Sequence, residues 1–169
     1  MSKLFNSLLL RSLHMFEKIL VPLDGSDHSV RALEKAVQIA KKFSSKVTLI
    51  HAYSVSMQPI ILPEPTTLSS PTIPILTAAE ISRVVEAARA TGERILKDGE
   101  ARAKAEGVVV EALIVEGHAV QEIVRTGKEG NFDLIVMGAR GVSHIRGLLL
   151  GSVSDGVIHH ALCPVLVVK

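Results

Sequence analysis

The chain has 169 residues and a mass of 18.1 kDa, the length of one domain and too short to bury two full cores. Hydrophobic residues make up 47% but aromatic ones only 3%, so the core must be built from Val, Ile, Leu and Ala, the filling of buried parallel strands. Lys and Arg total 19 against 17 Asp and Glu and are spread along the chain, which argues against a nucleic-acid surface; the single Cys163 excludes an internal disulfide and fits a reducing cytoplasm.

Residues 1–14 contain a short apolar run, Leu8-Leu9-Leu10, after Lys3, too short for a signal peptide and without a small-residue cleavage pattern. Met15 stands directly before the first strand, so 1–14 read as a poorly ordered extension or an upstream start and 15–169 as one domain. No run approaches the roughly 20 apolar residues that cross a bilayer.

Residues 19–23 read as a buried strand, and Asp24-Gly25-Ser26-Asp27 as turn and cap chemistry opening a helix. In that helix Val30, Leu33, Val37 and Ala40 recur at helical spacing, and Lys41-Lys42 suit its C-terminal dipole. A β-branched run at 46–52 completes a β-α-β unit. From about 54 to 77 lie five of the seven prolines, a composition that predicts a long, mobile loop. Residues 78–106 turn helical, with Ile81, Val84, Val85, Ala88, Ile95 and Leu96 on one face and Gly92 and Gly99 as points of weakness.

A third strand at 108–115 is followed by Gly117-His118 and a short helix marked by Val120, Ile123 and Val124. The fourth strand, 133–137, runs straight into Gly138; a helix from Ser152 to about Leu162 and a last strand at 164–168 close the chain. This alternation predicts an α/β fold, an open and mostly parallel sheet with helices on both faces.

In such a sheet ligands bind outside the carboxyl ends of the strands, where the strand order reverses. Two segments reach that edge with unusual residues, Asp24-Gly25-Ser26 and Gly138-Ala139-Arg140-Gly141, the latter continuing to Gly151-Ser152. Gly138 and Gly141 allow backbone angles and close approach that side chains block, so successive N–H groups can form an anion nest. Gly151 and Ser152 then open a helix whose N-terminus carries unpaired donors and partial positive charge. Any one of these glycines alone is more often a turn residue than a ligand site; their conjunction between a buried strand and a helix points to a phosphate cradle.

The pattern Gly138-x2-Gly141-x9-Gly151-Ser152 resembles the ATP-binding motif of the universal stress protein family. The opening, residues 19–26, and the ending, residues 163–168, resemble that family's first and last strands. The resemblance covers 15–169 and implies an adenine nucleotide α-hydrolase-like fold with strand order 3-2-1-4-5, binding ATP between the loops after strands one and four. Carried over by position, it implies that Asp24 contacts the ribose, Pro22 and Val47 line the adenine pocket and Met137 lies near the base. Gly138, Gly141, Gly151, Ser152 and Val153 would surround the phosphates. Gly156 departs from the Asn common in ATP-binding members. The resemblance also implies a homodimer through strand 164–168, an edge that needs a partner or a cover.

Asp24 taken without the resemblance reads as a turn former and helix cap as readily as a ribose contact. Arg140, His144 and Arg146 are minor phosphate candidates, since exposed loop cations are usually solvated. His159 and His160 point about 100° apart on a helix, poor geometry for a shared metal. No Gly-x4-Gly-Lys-Ser/Thr loop and no placed general base are present, so efficient hydrolysis is not expected. The leading reading is an ATP-binding regulatory protein of the cytoplasm with an unknown protein partner; Mg2+ would accompany the phosphates without an assigned protein ligand. Alternatives are a slow ATPase or α-phosphate hydrolase, suggested by a faint echo of the Ser-rich pyrophosphatase loop at 24–29, and a nucleotide-free interaction module.

Overall fold

A computed structural model describes residues 16–55, 77–142 and 150–169. The expected extension at 1–14, most of the proline-rich loop, and both His144 and Arg146 lie outside the described residues. The elements are β1 (Lys18–Pro22), α1 (Asp27–Phe43), β2 (Lys46–Tyr53), α2 (Ala78–Ala105), β3 (Val110–Glu116), α3 (Ala119–Glu129), β4 (Leu134–Gly138), α4 (Ser152–His160) and β5 (Val165–Val168).

All neighbouring strands are parallel, in the order β3-β2-β1-β4-β5. The two-residue period of the strands sorts their side chains into two cores. Ile19, Val21, Val47, Leu49, Leu134 and Val136 face α1 and α2, where they meet Leu33, Val37 and Leu96. Leu20, Ile50, Ile135 and Met137 face α3 and α4 and meet Ile123 and Val157. With a helical layer on each face, β4 is apolar throughout and β1 is apolar from Ile19 to Pro22.

The caps follow local chemistry. Ser26 accepts from the Ser29 N–H at the start of α1, and a capping box of Thr77 and Glu80 opens α2. The third strand begins at Val110 rather than 108, because Gly107 takes φ +77° and Val108 N donates back to Ala103 O, which spends residues 107–109 on the turn out of α2.

The expected weakness of α2 at its glycines is corrected by its packing. Gly92 and Gly99 are buried, together with Leu96 and Ala103, while Val84 on the predicted apolar face is 48% exposed. A Cβ on Gly99 would lie 2.7 Å from Leu23 Cδ1 and 3.0 Å from Leu49 Cδ1. The glycines are thus where the helix comes closest to the sheet, and missing side chains are the reason it can. Gly99→Val is expected to lower stability by about 1–3 kcal/mol in urea unfolding, although valine has the better helix propensity.

Candidate functional site

β1 is flanked by β2 on one side and β4 on the other, so the connections leaving the C-terminal ends of β1 and β4 part and open a crevice between them. A cleft of about 230 Å³ occupies it. Pro22 and Asp24 come from the exit of β1, Met137 and Gly138 from the end of β4, Arg140 and Gly141 from the following loop, and Gly151, Ser152 and Val153 from the start of α4. These sequence-predicted residues are brought together in one cleft.

Val47 is not among them. It pairs with Ile19 near the start of β1, whereas the cleft lies at the Pro22–Ile50 end, about 10 Å along the strand at 3.3 Å per residue. It is 2% exposed, in the core beneath α1 and α2. The wall position belongs instead to Ala52, which joins Ile50, Ala119, Ile123 and Met137 in an apolar slot. Nothing in the β-branched run 46–52 indicates which of its residues reaches the ligand end; only the register with β1 does.

Ala52 contributes more than a methyl group. Ile50 O accepts from Leu23 N on the β1 side, and Tyr53 O accepts from Gly117 N on the β3 side. Strand alternation therefore turns the N–H and C=O of Ala52 toward the space that β1 has left. One donor and one acceptor stand side by side at the rim of the apolar slot.

Asp24 crosses the mouth of the cleft. Its Oδ1 accepts from Ser26 N at 3.0 Å and Ser26 Oγ at 2.6 Å, and its Oδ2 accepts from Val142 N at 3.1 Å in the glycine loop. One carboxylate thus holds the turn after β1 to the loop after β4. An anion avoids that side and is drawn to the other, where α4 begins at Gly151 without a side-chain cap. Among the described residues none accepts from the N–H groups of Ser152, Val153 or Ser154, the orphan donors of a helix start. Buried Ser154, which composition did not single out, places its Oγ 2.8 Å from Ala139 O and 2.9 Å from Gly151 O, tying this helix end to the exit of β4.

The motif glycines differ in what they do. Positive φ among the described glycines occurs at Gly25, Gly107 and Gly117, not at Gly138 or Gly141, so the expected anion nest at 138–141 gives way to a requirement for space. A Cβ on Gly138 would lie 2.8 Å from the His28 carbonyl carbon and 2.9 Å from Ser29 N, so this position lets the first turn of α1 close on β4. On Gly141 it would lie 2.4 Å from Asp24 Oδ2, whereas on Gly151 the nearest atom is 3.5 Å away. Gly156 likewise serves packing, since its Cβ would meet Val120 Cγ2 at 2.8 Å between α4 and α3.

The remaining candidates lie elsewhere. His159 and His160 each turn Nδ1 to a backbone carbonyl of their own helix, those of Asp155 and Gly156. Among the described residues no group of three or more His, Cys, Asp or Glu is placed to hold a metal ion, and no helix is long and apolar enough to cross a membrane. Burial raises the Cys163 thiol above its ordinary value, with Asp133 adding to the effect.

A sequence model described as the universal stress protein family matches residues 15–169. The chain belongs to the universal stress protein family. Universal stress protein YxiE of Bacillus subtilis is 34% identical to it over 155 residues, 92% of this chain and 100% of its own length. Universal stress protein UspA from Lactobacillus plantarum has a TM-score of 0.74 at 23% identity, covering 91% of this chain and 98% of its own, a likeness of fold. A universal stress protein solved in complex with cAMP is 30% identical, with a TM-score of 0.64 over 92% of this chain and 98% of its own.

Two measurements test the geometry of this universal stress protein. Gly141→Ala is expected to cost about 1–3 kcal/mol in urea unfolding by driving a methyl group into the Asp24 carboxylate, while Gly151→Ala meets no clash and costs only the N-cap change, about 0.5–1 kcal/mol. Iodoacetamide is expected to alkylate Cys163 along a rate curve displaced to higher pH than that of an ordinary cysteine, because the thiolate is the reacting form.

Proposed function

We propose that this universal stress protein binds an adenine nucleotide, ATP in its working state, in the cleft between β1 and β4, and acts as a nucleotide-dependent regulatory protein. The observation that carries this reading is the order of parts along one cleft: an apolar slot with the Ala52 N–H and C=O at its rim, then the Asp24 carboxylate, then the uncapped start of α4. A flat purine fits the slot, and adenine offers a ring nitrogen acceptor beside an amino donor to match the two Ala52 groups. A ribose hydroxyl donates to Asp24. Phosphates take the N–H groups of Ser152, Val153 and Ser154, on the side away from the carboxylate. The 30% identical neighbour solved with cAMP supports an adenine ligand in this fold.

The chemistry favours binding over turnover. The Asp24 carboxylate accepts three hydrogen bonds from its own chain and stands on the ribose side, so it is not a general base for water at a phosphate. Mg2+ enters with ATP as a partner of the phosphates and needs no protein carboxylate. A nucleotide at about 100 times its dissociation constant stabilises the bound form by roughly 2.7 kcal/mol, enough to change what a protein partner meets at the mouth of the cleft.

Pairing of two copies along β5 completes the proposal. Among the described residues this strand is a sheet edge paired with β4 alone, with Leu166 38% exposed, and an apolar edge of this kind is covered by a second copy in a two-fold dimer. A free Cys163 suits a cytoplasmic protein.

Small molecules released by denaturing freshly purified protein are expected to include adenine nucleotide near one per chain, read by mass spectrometry, and Gly151→Trp is expected to abolish it by filling the start of α4. Incubation with ATP is expected to leave it largely intact. Steady accumulation of AMP and pyrophosphate would make the protein an α-phosphate hydrolase instead, and an empty parent that takes up no added nucleotide would leave an interaction module.

A further inference from the structure

We propose that His51 is a positioning residue for the nucleotide site, which through one hydrogen bond to the Leu23 carbonyl holds the Asp24 carboxylate where a ribose hydroxyl can reach it. The inference rests on the adenine-nucleotide reading of the cleft. His51 does not line the cleft; its side chain lies on the opposite face of the sheet, against α2.

At the C-terminal end of β1 the sheet runs out. Pairing between β1 and β2 ends at Pro22 and Ile50, and the last backbone bond between them is Leu23 N to Ile50 O at 2.9 Å. Beyond it the chain turns away into α1, so the Leu23 carbonyl has no strand partner. His51 Nδ1 lies 2.7 Å from that oxygen, and since a carbonyl only accepts, Nδ1 carries the proton. The imidazole thereby adds one more rung between β2 and the departing chain. Asp24 follows Leu23 directly and Ala52 follows His51 directly, so this rung sets the spacing between the ribose acceptor and the backbone pair proposed to read the base.

The ring has little freedom to do otherwise. A Cβ on Gly92 would lie 2.4 Å from His51 Cδ2 and 3.0 Å from Nε2, and also 3.0 Å from Ile114 Cδ1. Only a glycine in α2 leaves the space that the ring fills, so α2 lies directly over the imidazole, beside its β3 neighbour Ile114, and limits the orientations open to it. A lone bond to a loop carbonyl restrains a turn weakly; a bond from a ring limited in this way restrains it more closely.

A role confined to stability and a role in positioning differ in one readout, the affinity for AMP relative to 2′,3′-dideoxy-AMP. His51→Leu keeps the bulk and removes the donor, while His51→Asn returns an N–H near the place of Nδ1. The parent is expected to prefer the ribonucleotide in calorimetry. His51→Leu is expected to reduce that preference about fivefold, the size of one hydrogen bond, and His51→Asn to restore most of it.

Equal weakening toward both ligands in His51→Leu, with the ratio kept, overturns the proposal and leaves His51 a stability residue. A parent that binds AMP without ribose preference overturns it as well, while a parent that binds neither ligand sinks the nucleotide reading itself. Should His51→Leu fail to fold, exchange of the Nδ1 proton in the parent, followed by NMR, decides. Slower exchange with AMP than with the dideoxy analogue supports the coupling, and equal exchange overturns it.

Discussion

The placement of β1 at the centre of the sheet is the constraint on which everything else depends. Ile19, Leu20 and Val21 are fully buried, hydrogen-bonded to β2 on one side and β4 on the other and covered on both faces. A strand so enclosed leaves its chain one way out, through the C-terminal edge of the sheet. The neighbours it loses there, Ile50, Ala52 and Gly138, line the opening that results. The cleft is the geometric consequence of ending a central strand between two that connect in opposite directions.

Across that opening the chain rebuilds by side chains what the ladder no longer supplies. Asp24 binds its own turn through Ser26 and the opposite loop through Val142, and Ser154 binds α4 to the exit of β4. The Asp24 tie uses a side chain across the gap between two loops, and the Ser154 tie reinforces the backbone bond from Gly151 N to Ala139 O. The cleft has hydrogen-bonded groups around its rim and apolar walls below.

The glycines show how far local rules reach. Gly25 and Gly107 serve left-handed turns, as a sequence reading of glycine anticipates. Gly92, Gly99, Gly138, Gly141 and Gly156 serve contacts instead, each leaving room for an atom from a distant part of the chain. A glycine inside a helix reads as a weak point when only its own segment is considered. Here such glycines bring helices closest to the sheet and to each other.

The sequence by itself determined the class of fold, the order of elements and the segments that reach the ligand edge, because β-branched runs, helical periodicity and cap residues are local signals that survive without a partner. It also led to the family, through the spacing of Gly138, Gly141, Gly151 and Ser152. What only the tertiary structure decided was which residue of each element faces the cleft. Ala52 stands there and Val47 does not because strand register with β1 sets the depth of each residue, and register is a property of two strands. Ser154 and His51 gained their partners, Ala139 and Leu23, in the same way, by contacts between segments that no spacing along the chain records.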